Sequence, residues 1–415
     1  MANFISLILL LLPTYLIRFT VFGIPTTVLE ILIYIVFLYG FWQTRQDGFK
    51  PIPRKIYLPI GLLIFALIIS TIISPDKRTA LGELKGFFID PLLVGWLIFQ
   101  YLKEKDITKI FAGLIGSGLF VGIHTIVQKF LGHVTADGRV IGIFGYSPNY
   151  VALFLAPIAV LLIAYGLTLV IQKKYFPSIF YFLFSIFYLV AIYFSGSRGG
   201  FLAVGGGLGI FVILYYWTWI RAHLAAKIMI AVLIIMALAT TWSLFRPDFS
   251  LSPETGGRAT SSNNVRFQIW QASTELAIKN PKNTILGVGL GNFQNAFDKL
   301  TKERANFPEY ITPMALTPHN LFLMFWFSSG LLGLVAFLWL LVIFYREGFK
   351  KLLSSKTTPI ILAIVSTIII YGFIESSIWK NDLGILFWTF WTLIWIIDSS
   401  KFKSPLPKVR HANAK

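Results

Sequence analysis

Long apolar runs, broken by short polar segments rich in Gly and Pro, recur along almost the whole chain. A helix crosses a bilayer with ~20 mostly apolar residues. On that measure the runs predict twelve spans, near 4–22, 26–43, 56–73, 87–102, 107–130, 149–171, 176–194, 200–219, 225–245, 319–345, 357–374 and 383–398. The pattern therefore predicts an all-α fold, a polytopic transmembrane helical bundle occupying residues 1–415 as a single integral membrane domain. Gly23-Ile24-Pro25 is expected to turn the chain between the first two spans, and Pro13 and Pro157 to kink the spans that contain them.

The longest polar interval, 246–317, separates the ninth and tenth spans. Within it, Asn263 or Asn264 is placed to cap a helix running to Ile278, stopped by Asn280-Pro281. Val265, Ile269, Ala272 and Leu276 then share one face, so this helix is expected either to lie on the membrane surface or to pack across the bundle. A Gly287-Val288-Gly289-Leu290-Gly291-Asn292 run follows, and then a second short helix from Phe293 to Leu300.

Composition agrees with lipid as the solvent. Hydrophobic residues make up 56% and charged residues 13%, with a mean hydropathy of +0.74, whereas soluble domains carry ~25% charged residues. The 39 Phe, 17 Tyr and 12 Trp suit lipid-facing surfaces and interfacial belts. The net charge of +18 is scattered over many short loops rather than gathered on one face, so nucleic acid is not the expected partner. With the N-terminus in the cytoplasm, the inner loops and the basic tail 399–415 hold 20 Lys and Arg, against about 8 in the short outer loops. The positive-inside rule then predicts both termini on the cytoplasmic side and 246–317 as an extracytoplasmic loop. No Lys or Arg precedes the first apolar run and no cleavage signature follows it, so it reads as a retained helix. The absence of Cys excludes disulfides, thiolate metal sites and a Cys nucleophile.

Three arginines fall on the expected outer side, where topology disfavours them. Arg198 sits in Ser195-Gly196-Ser197-Arg198-Gly199-Gly200, a turn between two apolar helices in which nothing demands a charge. A guanidinium held at the interface suits a phosphate-bearing headgroup or leaving group; the bland alternative is a snorkelling side chain. Arg139 lies in Asp137-Gly138-Arg139, ahead of Pro148-Asn149, where pairing to Asp137 is the structural alternative. Arg266 lies on the first turn of the loop helix, where a solvated face is the alternative.

His319, in Thr317-Pro318-His319-Asn320 at the start of the tenth span, is the candidate proton acceptor. His223 and His411 fall on the cytoplasmic side, His133 in a loop and His124 in the middle of a span. The Gly287-Gly289-Gly291 run could offer backbone amides to a phosphate, although no strand precedes it and a dinucleotide site is excluded. Glu30, Asp90 and Glu375 lie in or at the edges of spans, where carboxylates are costly and often functional. None forms an Asp-x-Asp pair, so neither a metal nor a cofactor is expected.

Taken in order, Gly138-Arg139 through Phe144-Gly145 to Pro148-Asn149, Gly196-Ser197-Arg198-Gly199-Gly200, Arg266 with Trp270, Leu286 to Phe293, Pro318-His319-Asn320 and Gly330-Leu331-Leu332-Gly333 resemble the bacterial O-antigen ligase and Wzy-type polymerase superfamily of membrane glycosyltransferases. The resemblance implies metal-independent, inverting transfer of a glycan from an undecaprenyl-diphosphate carrier to an acceptor hydroxyl on the outer side of the bacterial cytoplasmic membrane. It implies Arg198 and Arg266 as the groups stabilising the diphosphate leaving group and His319 as the base or acceptor-orienting group. Arg139, Asn320, Gly289 and Gly291 are the expected substrate-binding positions. Ligases, polymerases and protein O-oligosaccharyltransferases share this pattern, so the acceptor hydroxyl stays open among glycan, lipid and protein. Two other classes fit the span count: an ion-coupled transporter working through Asp90, Glu375 and His124, and a non-catalytic scaffold.

Overall fold

The structure, a computed structural model, describes residues 1–21, 24–135, 137–145, 147–224, 262–302 and 316–397. The expected ninth span 225–245 and tail 399–415 lie outside these residues, as do 246–261 and 303–315 of the expected loop. Its helices are α1 Ala2–Leu10, α2 Val28–Asp47, α3 Tyr57–Ile73, α4 Lys77–Glu83, α5 Asp90–Tyr101, α6 Ile107–Phe130, α7 Asn149–Ile171 and α8 Tyr175–Phe194. They continue with α9 Arg198–Tyr215, α10 Trp217–Ala222, α11 Ser262–Ile278, α12 Pro281–Leu286, α13 Phe293–Thr301, α14 Leu321–Lys351, α15 Thr358–Gly372 and α16 Asn381–Ile396. Among the described residues seven helices, α2, α3, α6, α7, α8, α9 and α14, are long and apolar enough to cross a membrane, and α15 is a shorter apolar helix.

The first expected span is not one helix. α1 ends at Leu10, a 3-10 turn over Leu12–Leu16 takes Pro13 as its second residue, and a two-stranded antiparallel hairpin follows, β1 Arg18–Val21 against β2 Ile24–Thr27. Proline cannot continue the helical ladder, and the β-branched Thr20, Val21, Ile24, Thr26 and Thr27 favour the extended backbone. α2 then starts cleanly, because Thr27 and Glu30 form a reciprocal capping box at 3.1 and 3.0 Å.

α7, α15 and α16 are apolar on every side and buried on every side, which marks them as the centre of the bundle. α7 packs against α8, α9 and α15, while α16 packs against α5. α9 approaches closely because its glycines face side chains: a Cβ at Gly200 would lie 2.7 Å from Ala152 on α7, and one at Gly206 2.7 Å from Ile370 on α15. α8 turns Phe176, Ile179, Phe180, Leu183 and Phe187 outward, as lipid contact requires.

α14 is interrupted at Gly330, whose φ of 67° and ψ of −173° are non-helical. A break of this kind releases carbonyls upstream from their intrahelical donors, and these must find others. The Phe327 carbonyl accepts from the Val288 amide at 2.7 Å and the Ser328 carbonyl from Ser70 Oγ at 2.5 Å. The break thus docks the Gly287–Gly291 loop between α3 and α14. The face expected to be shared by Val265, Ile269, Ala272 and Leu276 closes over Phe293, Phe297 and Phe327, so α11 packs onto α14 and α13. The helix ends at Ile278 as expected, but Asn280 also begins a new helix, its side chain capping α12 through the Asn283 amide at 2.8 Å.

Candidate functional site

The turn joining α15 to α16 carries Glu375, whose side chain is 5% exposed. Its backbone is fixed by the Tyr371 carbonyl at 2.9 Å, and Ser377 Oγ ties the next residues back to the Ile368 carbonyl at 2.8 Å. Three elements converge on the carboxylate. Asn149 at the start of α7 donates from Nδ2 to Oε1 at 2.6 Å. An Arg266 terminal nitrogen, from α11, donates to the same oxygen at 2.9 Å. His319 Nδ1 lies 2.7 Å from Oε2.

Burial by itself would push this carboxyl up; His319 and the Arg266 guanidinium beside it outweigh burial and hold it down to about 2. Glu375 is therefore a fixed anion. With Nδ1–H donating to it, the imidazole presents Nε2 as its remaining nitrogen. The backbone of His319 is tied down as well: Trp270 Nε1 donates to the His319 carbonyl at 3.3 Å. His319 itself has φ of 49°, an uncommon left-handed conformation for a residue with a Cβ, and the kind of outlier that clusters at functional sites.

Arg139 supports this centre one layer back. Its Nε donates to the Ser195 carbonyl at 2.7 Å and a terminal nitrogen donates to Asn149 Oδ1 at 2.6 Å, while Asp137 is only a distant ion partner at 3.9 Å. Tyr371 closes the back wall, its hydroxyl 2.5 Å from Ser197 Oγ and 3.5 Å from the Asn149 carbonyl. Ser197 caps α9, and Arg198 follows it as the first residue of that helix. Arg198 is exposed and makes no ion pair or side-chain hydrogen bond among the described residues.

A cavity of about 490 Å³ opens beside the cluster, lined by Asn149, Tyr150, Thr317, His319, Glu375 and Trp379 among others. Its volume lies within the ~300–1,000 Å³ of small-molecule sites. Among the described residues, no group of three or more His, Cys, Asp and Glu comes together as a metal site.

Of the residues singled out in the sequence, the fold gathers Arg266, His319 and, through Asn149, Arg139 around one carboxylate. Arg266 faces Glu375 rather than solvent, against the solvated-face alternative. Asn320 is committed to structure: its Oδ1 caps α14 through the Leu323 amide and its Nδ2 donates to the Phe373 carbonyl, both at 2.9 Å. α14 accordingly starts at Leu321, two residues past the expected boundary. Gly289 and Gly291 sit against Ser74 and Thr79, where a Cβ on either would come within 2.8 Å, and the Gly291 amide is already given to Glu83 at 3.2 Å. Glu375 and Asn149 are what sequence reasoning did not assign. The signal for Glu375 was a carboxylate at the edge of a span; for Asn149 it was only membership in the Pro148-Asn149 motif.

Residues 182–338 match the family model described as O-Antigen ligase. That stretch contains Arg198, Arg266, Gly289, Gly291, His319 and Asn320, while Glu375 lies beyond it. Over 335 residues the chain is 24% identical to the O-antigen ligase of Salmonella typhimurium (strain LT2), covering 77% of each chain. It is also 24% identical over 369 residues to an uncharacterized protein of Haemophilus influenzae, covering 83% of this chain and 86% of that one. Together with the apolar helices, these matches support a multi-pass membrane protein similar to the O-antigen ligases.

Proposed function

We propose that this protein transfers a glycan from an undecaprenyl-diphosphate carrier to an acceptor hydroxyl on the outer side of the bacterial cytoplasmic membrane, in a metal-independent, inverting reaction. The similarity to the O-antigen ligase family supports a membrane glycosyltransferase-like enzyme acting on a lipid-linked glycan and an acceptor. The single observation that carries the mechanism is Glu375 bound to His319 Nδ1 and to Arg266 at the wall of the cavity.

The acceptor hydroxyl gives its proton to His319 Nε2 as its oxygen attacks the anomeric carbon. The bond from that carbon to the diphosphate oxygen breaks, and the electron pair leaves with the diphosphate. One displacement inverts the anomeric centre. Glu375 stabilises the imidazolium that forms and keeps the ring oriented, as a buried carboxylate does for a catalytic histidine. The negative charge gathering on the leaving group calls for cations. Arg198 is available for that task because it has no partner among the described residues, and Arg266 adds a second guanidinium whose position Glu375 fixes. The basic residues of the short inner loops support the orientation with both termini in the cytoplasm.

The test is glycan transfer by purified protein in lipid, from an undecaprenyl-diphosphate oligosaccharide to cell-envelope acceptors in the presence of EDTA. Wild type should transfer, and Arg198→Ala and His319→Ala should both abolish transfer while remaining folded. Absence of transfer to every acceptor, with solute uptake by the same vesicles, would sink the reading in favour of a transporter.

A further inference from the structure

A second cavity, of about 240 Å³, adjoins the first: Tyr150, Leu316, Thr317 and Trp379 line both. Its lining also includes Lys380, the residue preceding α16, which is 7% exposed. The Lys380 ammonium has no hydrogen-bond partner among the described residues. It lies 3.8 Å from the Tyr150 ring centroid, 4.3 Å from that of Phe144 and 5.1 Å from that of Tyr15. A buried charge is normally paired or hydrogen-bonded, and three aromatic faces supply only part of what water would give it.

Asp382 acts on this ammonium as counter-charge, without a hydrogen bond between them, and Arg18 of β1 adds a second cation at the cavity. Burial, with Arg18 adding to it and Asp382 opposing, brings Lys380 down to about 8, so it still carries its charge at neutral pH. The one acid lining the cavity among the described residues, Glu83, is already engaged. Its Oε2 accepts from Trp379 Nε1 at 3.0 Å and from the Gly291 amide at 3.2 Å, which fixes the Trp379 ring as the wall between the two chambers. A chamber with two cations and aromatic walls, adjoining the cavity that His319 lines, suits a ring that is apolar on its faces and anionic at its edge.

We propose that this second chamber is a subsite for an acidic sugar, a pyranose bearing a carboxylate or phosphate, with Lys380 and Arg18 as its anion partners and Trp379 and Tyr150 as its stacking walls. Placement of that sugar beside the reacting hydroxyl or leaving group rests on the proposed transfer reaction; the binding itself does not.

The full-length protein in lipid nanodiscs, titrated calorimetrically with glucuronate, glucose 6-phosphate, glucose and inorganic phosphate, tests this. At least one of the two acidic sugars should bind tenfold or more tighter than glucose and than phosphate alone. Lys380→Gln should lose at least tenfold in that affinity, Lys380→Arg should keep most of it, and His319→Ala should bind as wild type does. Equal affinity for glucose and the acidic sugars, or unchanged affinity in a folded Lys380→Gln protein, overturns the proposal. Phosphate binding as tightly as glucose 6-phosphate, without binding of glucuronate, reduces the chamber to a plain anion site and also overturns it. Should Lys380→Gln not fold, Arg18→Gln, at an exposed strand position, should still cost severalfold in affinity, and no loss there counts against the proposal. Lysine-dependent binding in a protein that transfers nothing would leave the subsite standing and remove the transferase reading; transfer without such binding would do the reverse.

Discussion

Glu375 Oε2 and His319 Nδ1 stand 2.7 Å apart, and the other oxygen of the same carboxylate accepts from Asn149 and Arg266. One anion thereby sets the tautomer of the histidine and the position of an arginine at once. Replacing Glu375 by Gln keeps the shape and removes the charge. Transfer should then fall by a factor on the order of 10²–10⁴, the range seen when the orienting carboxylate of a catalytic histidine is neutralised. The fall should appear in kcat with the donor KM little changed.

Glu375→Ala should in addition destabilise the fold. It leaves Arg266 and His319 facing each other without their shared acceptor, and removing one partner of a buried ion pair costs roughly 3–5 kcal/mol. A thermal melt in detergent or lipid should show a lowered Tm for Glu375→Ala and a smaller loss for Glu375→Gln, which still accepts through its amide oxygen.

Acid should act on the same group. Its folded-state carboxyl is held down to about 2, below the ~4.3 of an unfolded Glu. The stability it contributes is therefore complete above the unfolded value and is lost as pH falls from there toward about 2. Melts between pH 6 and pH 3 should show wild type losing stability with a component absent from Glu375→Gln. Identical slopes for the two proteins would contradict this.

Arg198 and Arg139 should separate function from support. Arg198 is exposed and holds nothing in place among the described residues, so Arg198→Ala should abolish transfer and leave Tm within about 1 °C, as expected for a substitution at an exposed position. Arg139 bonds the Ser195 carbonyl and Asn149, so Arg139→Ala should lower transfer and also cost roughly 1–3 kcal/mol of stability from the acceptors it abandons.

Gly330→Ala tests the break in α14. Its φ of 67° with extended ψ is open to glycine, and a Cβ there would run into the Ile285 carbonyl. Loss of at least ~1–3 kcal/mol is expected from backbone strain alone, with α12 and the Gly287–Gly291 loop displaced from α14. Protease sensitivity of the loop in the variant, compared with wild type, reads this directly.

Much of the helical frame was legible because it depends on local runs of apolar residues. The bounds 107–130 and 149–171 coincide with α6 and α7, and the stripe Val265, Ile269, Ala272, Leu276 is the face α11 buries. The segment 4–22 failed because Pro13, expected only to kink the span, ends the helix, and mean hydropathy is blind to the β-branched residues that make a hairpin. The site was half legible. Arg266 and His319 stood out as charged or titratable groups with no local reason to be there, but Glu375 is 56 residues from His319, 109 from Arg266 and 226 from Asn149. No spacing rule joins such positions, and only the docking of α15 and α16 against α7 and α14 brings them together.

That separation along the chain has a consequence for biogenesis. Synthesis runs from N- to C-terminus, so Asn149, Arg266 and His319 all leave the ribosome before the acceptor that organises them. Until the hairpin of α15 and α16 inserts, the imidazole lacks its orienting carboxylate and Arg266 lacks its anchor. On the proposed reaction, a nascent or truncated chain that stops short of residue 375 lacks the carboxylate that orients His319 and anchors Arg266.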